Sequence, residues 1–488
     1  MVFSSYLFLF YFLPLALLLY YAVPRRAKHL LLTLFSYVFY GWANPLFVVL
    51  LFISTTIDYV SGLVISRAVA MADHVPADAD PPGDHEAPRP TMARVALIVS
   101  LCSNLALLGF FKYFNFGLEN INAFADTTGL DALRLDVALR ITLPLGISFY
   151  TFQSMSYTID VYRGQAQSVR SFVDFACFVS MFPQLVAGPI VRFTEVADQL
   201  RERTHTVTKF ARGVAFFSVG MAKKVLLANP CGKVADVAFE AGSLHTIDAW
   251  YGVTAYAFQI YFDFSGYSDM AIGLGLMFGF VFPKNFDSPY RAQSITDFWR
   301  RWHISLSTWL RDYLYVPLGG SRKGPRRTYA NLLIVMLLGG LWHGAAWNFV
   351  VWGGLHGLLL AFERRQGKTA PYQRLPAPLK VASTFGIVLV TWVFFRAVDL
   401  PTALDYLASM AGFGAPAEGA GLLAGIVYQP YYLLTFVAAG IVTWTCPQTW
   451  DWSRTLSAPK AVAAVTALML ATVMLTTQAF NPFIYFIF

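Results

Sequence analysis

The chain has 488 residues, of which 57% are hydrophobic and only 13% are charged. The charged share is about half that of a soluble protein, so the composition excludes an ordinary soluble domain. The net charge of +8 does not indicate a nucleic-acid partner. The basic residues stand at the ends of apolar segments, where they fix the orientation of a membrane protein.

Long apolar runs recur along nearly the whole chain and predict an all-α, polytopic membrane protein. Several of these runs are too short or too long for one simple crossing of a hydrocarbon core of roughly 30 Å, so we expect about eleven or twelve membrane elements. The runs lie near residues 3–22, 30–41, 45–66, 93–111, 138–158, 172–190, 211–229, 248–282, 329–362, 381–395, 423–445 and 461–485.

The first apolar run, Met1–Pro24, precedes every charged residue and lacks a convincing small-residue cleavage site. We interpret it as a retained membrane helix rather than a signal peptide. Arg25, Arg26 and Lys28 follow it, so the positive-inside rule places this loop in the cytoplasm and the N-terminus outside.

Residues 72–90, ADHVPADADPPGDHEAPRP, interrupt the apolar pattern with proline and acidic residues. Such a composition buries too little apolar surface to fold, so we predict a disordered linker within a single membrane domain of residues 1–488. The cysteines have no metal-ligand spacing and three lie in apolar surroundings, so we expect neither disulfides nor a metal centre. We also expect no bound cofactor. The cysteines are Cys102, Cys177, Cys231 and Cys446.

Polar side chains also occur inside apolar stretches, among them Gln153, Asp160, Gln184, Asp263 and Asp269. Interhelical hydrogen bonds between such groups are common in membrane proteins. We therefore favour a structural role, in which these groups satisfy one another and join helices.

The segment TDFWRRWHISLSTWLRDYLYVPLGG, residues 296–320, predicts one amphipathic helix at the membrane interface. Its aromatic and leucine residues recur at helical spacing, with tryptophan as the interfacial anchor. Thr296 is the expected N-cap, Asp297 and Arg301 are spaced to pair, and Pro317 ends the element. The predicted stripe consists of Trp302, Leu306, Trp309 and Tyr313.

The same region is the most basic part of the chain. Its positive charge marks a cytoplasmic face near anionic lipid, or a docking surface for a phosphorylated donor; the first interpretation is the more general one. Eight basic residues fall between positions 291 and 327: Arg291, Arg300, Arg301, Arg311, Arg322, Lys323, Arg326 and Arg327.

His343 lies in a stretch with no Asp, Glu, Lys or Arg from Thr328 to Phe362. As one helix this stretch would be roughly 50 Å long, so we expect two elements or a broken helix. Gly339, Gly340 and Gly344 mark the break. A titratable group in an apolar segment is a functional candidate. Broken backbone at membrane depth requires cover from protein or a cavity, so the pattern predicts a buried polar cavity that holds an imidazole.

Two other histidines are weaker candidates for a functional site. His303 alone would be read as an interfacial histidine, because imidazole tolerates mixed surroundings. Its occurrence forty residues before His343 makes it a candidate for the same site. His356, in GGLHG, is interpreted as a packing residue.

Several long motifs resemble the membrane-bound O-acyltransferases (MBOAT), in particular the bacterial branch that contains the alginate O-acetyltransferase membrane subunit. The motifs are FPQLVAGPIVR, QIYFDFSGYSDMAIGLGLMFGF, FWRRWHISLSTWLRDYLYVPLGG, GGLWHGAAWNFVVWGGLHG and the C-terminal NPFIYFIF. The resemblance covers nearly the whole chain. It implies a ring of helices around a tunnel, an invariant active-site histidine at His343 and a second active-site position at His303.

The resemblance implies acetyl transfer from cytoplasmic acetyl-CoA, across a bacterial inner membrane, to an extracellular polysaccharide such as alginate. A periplasmic partner with a serine-esterase-like fold would acetylate the polymer. Peptidoglycan, cellulose and teichoic acid are alternative acceptors. A transporter or channel that uses the same histidines, or a silent scaffold of a polymer-export complex, are alternatives of another class.

Acyl transfer to a hydroxyl needs a base, and His343 as a neutral imidazole suits that role. His303 is expected to orient the donor carbonyl or to stabilise the developing oxyanion. Trp302, Trp342 and Trp347 either line the tunnel or pack in the core. The phosphates of the donor would suit the basic side chains of Arg300, Arg301, Arg322 and Lys323.

Overall fold

The computed structural model describes residues 1–73, 89–135, 140–242, 244–367, 374–414 and 420–478. Within these ranges the regular structure is helical and no strand occurs, which confirms the all-α prediction. Of the predicted linker, residues 72 and 73 close a helix, residues 89 and 90 have no regular secondary structure, and residues 74–88 lie outside the described residues. The C-terminal motif NPFIYFIF also lies outside them, so both interpretations stay predictions.

One compact unit consists of Met1–Ala211 and Leu274–Pro283. A π-helical turn, Leu7–Phe12, leads into its first helix. The helices are α1 (Leu13–Ala22), α2 (Lys28–Gly41), α3 (Leu46–Asp73), α4 (Thr91–Thr128), α5 (Ile147–Arg163), α6 (Phe172–Ser180), α7 (Phe182–Leu185) and α8 (Phe193–Arg201).

The other compact unit consists of Arg212–Gly273 and Lys284–Phe488. Helix α9 begins just before this unit, and α11 ends just after its first segment. Its helices are α9 (Val207–Ala222), α10 (Asn229–Glu240), α11 (Thr246–Met277), α12 (Ile295–Arg301), α13 (Ile304–Leu310), α14 (Pro325–His343), α15 (Trp347–Gln366), α16 (Ala377–Arg396), α17 (Leu400–Met410), α18 (Ala420–Val427), α19 (Pro430–Thr445), α20 (Thr449–Trp452) and α21 (Ala458–Thr477).

Four of the described helices are long and apolar enough to cross a membrane: Leu46–Ala72, Thr91–Thr128, Ala377–Arg396 and Ala458–Thr477. Leu7–Ala22 and Pro430–Thr445 are shorter apolar helices. The chain is therefore a multi-pass helical membrane protein. The predicted count of eleven or twelve membrane elements and their ring around a tunnel stay predictions.

Buried ion pairs join α11 to the π-helical segment Lys223–Ala228. Lys224 Nζ lies 2.8 Å from a carboxylate oxygen of Asp263, and both side chains are at most 3% exposed. Lys223 pairs with Asp269 at 2.6 Å, and the Thr449 hydroxyl donates to the same carboxylate. These contacts agree with the structural role that we favour for the polar groups of α11, since a buried charge needs such a partner.

Helices α14 and α15 form a hairpin whose backbones touch. A Cβ atom added at Gly340 would lie 2.3 Å from the Phe349 carbonyl oxygen, and one added at Gly353 would lie 2.3 Å from that of Met336. Only glycine permits this approach. Helix α14 ends at His343, and Gly344 is extended. The predicted break is confirmed, at Gly344, whereas Gly339 and Gly340 lie inside α14.

The single helix predicted over 296–320 is wrong. Helix α12 ends at Arg301, Trp302 is extended, and α13 begins after His303, whose φ of +43° is left-handed. A non-glycine residue in this region costs on the order of 1–3 kcal/mol, so surrounding contacts must hold it. The Ile304 amide donates to the Asn285 carbonyl oxygen at 2.9 Å and supplies one such contact.

Two details of that prediction are also resolved. The N-cap of α12 is Ser294, not Thr296; its hydroxyl accepts from the Asp297 amide at 3.0 Å. The Asp297–Arg301 pair is confirmed at 2.8 Å. Trp302 is only 3% exposed, so it is a core residue rather than an interfacial anchor.

Candidate active site

His303 lies at the break between α12 and α13 and is 0% exposed. The Phe264 ring meets its imidazole edge-on, with 4.6 Å between ring centroids, and the Trp342 ring lies at 6.1 Å. The left-handed backbone turns the chain sharply at this residue. A turn between two short helices therefore carries the imidazole into the protein interior.

Asn285 forms the polar surroundings of His303. Its Oδ1 lies 3.2 Å from His303 Nδ1 and accepts from both the Ser305 amide and the Ser305 hydroxyl. Its Nδ2 donates to the Ser268 hydroxyl on α11 at 3.1 Å. Asn285 is 1% exposed, so this network is shielded from solvent.

His343 is the last residue of α14, and aromatic rings surround its imidazole. Ring centroids of Trp342, Phe395 and Trp352 lie 4.9, 5.1 and 5.3 Å away. Trp342 contacts the rings of both His343 and His303. The structure therefore brings the two predicted histidines to one indole ring, as members of a single cluster.

His343 also lines a cavity of about 240 Å³. Most of the wall is apolar, and two of its polar side chains, Arg311 and Tyr315, come from the π-helical segment Arg311–Tyr315 that follows α13. The lining residues are Trp299, Leu306, Ser307, Leu310, Arg311, Tyr315, Leu332, Val335, Met336, Gly339, His343, Trp352 and Leu360. Among these described residues His343 is the only imidazole, whereas His303 lies outside the lining.

The three tryptophans predicted as tunnel candidates do not line this cavity. Trp302 packs on Trp392, with 5.1 Å between ring centroids. Trp342 separates the histidines, and Trp347 is 55% exposed. Trp299 and Trp352 line the cavity instead. The sequence could not single them out, because their role depends on how α12 packs against the α14–α15 hairpin.

The basic residues also differ in whether they line the cavity. Arg311 lines the cavity and is paired with Asp312 at 2.7 Å, although its side chain stays 60% exposed. Arg301 pairs with Asp297, while Arg300, Arg322 and Lys323 are exposed. Arg311 is therefore the member of the basic cluster that reaches the cavity of His343.

His356 has two hydrogen-bond partners in the core. Trp299 Nε1, which can only donate, lies 3.2 Å from His356 Nδ1, and the Thr391 hydroxyl lies 3.1 Å from Nε2. Nδ1 must therefore accept, and Nε2 carries the proton. His356 is 0% exposed, in agreement with its interpretation as a packing residue.

The model of the membrane-bound O-acyltransferase family matches residues 147–397, which include both histidines and the cavity. The chain belongs to this family. It is 43% identical to a probable alginate O-acetylase AlgI of Pseudomonas putida over the whole of both chains. It is 47% identical to the protein of that name from Pseudomonas aeruginosa, over 89% of this chain and 81% of the relative.

A third relative is the peptidoglycan O-acetyltransferase of Helicobacter pylori, 38% identical over 84% of this chain and 80% of that protein. Membership of this family makes the chain an acyltransferase enzyme. It therefore binds an acyl donor and an acyl acceptor, and the transporter and scaffold alternatives lose their support.

Proposed function

We propose that this protein is an O-acetyltransferase that moves acetyl groups from cytoplasmic acetyl-CoA across the bacterial inner membrane, for O-acetylation of an extracellular polysaccharide. Alginate is the favoured acceptor. The Pseudomonas putida relative, which matches over the whole of both chains, carries an alginate O-acetylase name and supports this choice. The name of the Helicobacter pylori relative supports peptidoglycan as the second candidate.

His343 is the proposed general base, and the observation that carries this assignment is its place on the cavity wall. Its imidazole takes the proton of the acceptor hydroxyl as that oxygen attacks the carbonyl carbon of the thioester. The carbon–sulfur bond then breaks, and the proton passes to the departing thiolate. No covalent enzyme intermediate is needed.

Arg311 is the proposed contact for a phosphate group of the donor. A guanidinium pairs well with phosphate, and this one stands at the cavity with much of its surface in solvent. Arg322 and Lys323 follow in the next turn and add positive charge to the same segment. We propose that both residues contribute to donor binding.

The polymer itself is proposed to be acetylated by a periplasmic partner with a serine-esterase-like fold. The cavity of about 240 Å³ has a mostly apolar wall, which suits an acyl group and its thioester arm. A polysaccharide has no such apolar character, which supports a separate acceptor protein.

The test uses membranes that contain this protein and its periplasmic partner, supplied with radiolabelled acetyl-CoA. Alginate oligosaccharides and peptidoglycan fragments are offered as acceptors in parallel. The proposal predicts label in alginate. Label in peptidoglycan alone would overturn the choice of polymer, and label only from a different acyl donor would overturn acetyl-CoA.

A further inference from the structure

The side-chain amide of Asn285 has a defined orientation. The Ser305 backbone N–H can only donate, and it points at the atom assigned as Oδ1, at 3.2 Å. On the other side, Nδ2 lies 3.1 Å from the Ser268 hydroxyl. Rotating the amide by 180° would set two N–H groups against each other at Ser305. The carbonyl oxygen therefore faces His303.

This orientation fixes the tautomer of His303. Its Nδ1 lies 3.2 Å from the Asn285 carbonyl oxygen, which can only accept, so Nδ1 carries the proton. The Ser305 hydroxyl agrees with this assignment. It donates to Asn285 at 2.9 Å and keeps a lone pair towards Nδ1 at 3.4 Å. In the neutral ring, Nε2 is therefore an acceptor.

An acceptor at Nε2 changes the role that His303 can perform. A neutral imidazole with its proton on Nδ1 has no hydrogen to donate from Nε2 to an oxyanion. Donation would require the imidazolium, and burial among Phe264 and Trp342 disfavours that charge. The oxyanion role expected from the sequence is thus a poor match to this geometry.

We propose that Asn285 is a positioning residue that holds His303 in the Nδ1–H tautomer and so keeps Nε2 as the unprotonated nitrogen that the reaction requires. This inference rests on the proposed place of His303 in the active site. Asn285 acts through His303 and does not itself touch the reacting atoms. Its backbone carbonyl also accepts the Ile304 amide, so one residue fixes both the turn and the tautomer.

Two substitutions separate positioning from a purely structural role. Asn285→Leu removes the acceptor for Nδ1–H, and we expect acetyl transfer to fall by roughly tenfold to a hundredfold, the range seen when an orienting partner of a functional histidine is lost. Asn285→Asp keeps an oxygen acceptor for both Nδ1–H and the Ser305 amide. It should therefore retain clearly more activity than Asn285→Leu.

The pH profile adds a readout that a structural role would not move. A carboxylate beside Nδ1–H makes the imidazole more basic. If activity requires unprotonated Nε2, the acidic limb of kcat/KM in Asn285→Asp moves to higher pH. If Asn285 only supported the fold, the buried charge of aspartate would reduce activity at least as much as leucine does. The pH profile of kcat/KM would then stay unchanged. Equal losses in both variants with no shift would overturn the inference.

The tautomer itself is measured by nitrogen-15 NMR on the full chain labelled at histidine. Subtraction of the His303→Gln spectrum identifies the His303 resonances, and His356, with its proton on Nε2, is the internal reference of opposite tautomer. The inference predicts a protonated Nδ1 and a bare Nε2 at His303. A proton on Nε2 would overturn it.

Failure of the proposed function would leave membranes with the wild-type protein without acetyl transfer from acetyl-CoA, whereas failure of this inference would leave that transfer intact. Full acetyl transfer in His303→Gln would remove His303 from the mechanism, whatever its tautomer. An inactive His303→Gln together with a fully active Asn285→Leu would leave the proposed function intact and overturn only the role of Asn285.

Discussion

At the scale of single residues, aromatic rings position His343. Trp342, Trp352 and Phe395 contact the imidazole at centroid distances of 4.9–5.3 Å and fix its plane beside the cavity. A base held in one orientation avoids part of the entropic cost of reaching the reactive geometry. Trp342, the residue before His343, also lies against the ring of His303.

Arg311 offers a test of donor binding. Arg311→Gln removes one exposed positive charge from the cavity wall, so we expect KM for acetyl-CoA to rise about two- to fivefold while kcat changes little. The difference should shrink at high salt, because exposed charges are screened. The matched control is Arg300→Gln, which removes an exposed arginine outside the cavity lining. An equal effect of both variants would contradict a specific contact.

Sequence reasoning finds some of these residues and misses others for identifiable reasons. His343 is visible because it is a titratable group in an uncharged stretch. Asn285 is not visible in this way, because it lies eighteen positions before His303 in the sequence and contacts it only in the folded chain. Trp299 and Trp352 are hidden for the same reason, since tryptophans are frequent here and only packing decides which of them face the cavity.

At the scale of elements, the α14–α15 hairpin depends on its glycine contacts. Gly340→Ala places a methyl group 2.3 Å from a carbonyl oxygen, so the helices must separate, at a cost of about 1–3 kcal/mol. We expect a lower Tm in detergent. Gly354→Ala is the control, because its added Cβ meets only the end of the Leu337 side chain at 3.6 Å. Similar Tm values for both variants would show that the hairpin does not require this contact.

The Lys224–Asp263 pair provides a second test at this scale. Lys224→Met leaves a buried carboxylate without its cation, and the expected loss of stability is about 3–5 kcal/mol. The double variant Lys224→Met/Asp263→Leu removes both charges and should be more stable than the single one. Thermal denaturation of the purified variants measures both effects. A double variant less stable than the single variant would refute the ion pair as the cause.

Helical periodicity explains why one element was predicted correctly and another was not. The 328–362 stretch exceeds a membrane span in length, so a break was required, and its glycines marked the place. The 296–320 segment keeps an amphipathic pattern through Trp302 and His303, yet Asn285 and Asp287 pair with the backbone on either side of that point and divide the helix. No local signal reports such a distant partner.

At the scale of the whole molecule, we predict the topology on the assumption that each of the helices α1 to α4 crosses the membrane once. Helix α4 has 38 residues and therefore a length of about 57 Å, more than the hydrocarbon core, so we expect its two ends on opposite sides of the membrane. The loop at Arg25 is predicted to be cytoplasmic, and Glu202 lies 3.9 Å from it. By alternation of α1 to α4, the end of α4 near Thr127 is then predicted to be periplasmic.

This topology predicts different access for two exposed positions in a cysteine-free background. With the protein in the bacterial inner membrane as proposed, an impermeant maleimide should label Thr127→Cys in intact cells. It should label Glu202→Cys only after the inner membrane is opened. Both side chains are exposed, so accessibility within the protein is matched. Labelling of Glu202→Cys in intact cells would invert the proposed orientation.

Composition alone predicts that the whole molecule is a membrane protein, because its share of charged residues is about half that of a soluble protein. It does not give the number of crossings. Helices such as α6, α7, α12 and α13 have between four and nine residues, too few to span a bilayer, and their short lengths reflect tertiary contacts rather than hydropathy.

The most direct test of the account is acetyl transfer by His343→Gln beside His356→Gln, at equal protein levels and with saturating acetyl-CoA. Glutamine at position 356 can keep both hydrogen bonds of that core histidine, so this control should stay close to wild type. At position 343 it cannot act as a base, and the account predicts a loss of about a hundredfold or more in kcat. Wild-type turnover by His343→Gln would contradict the assignment of His343 as the general base.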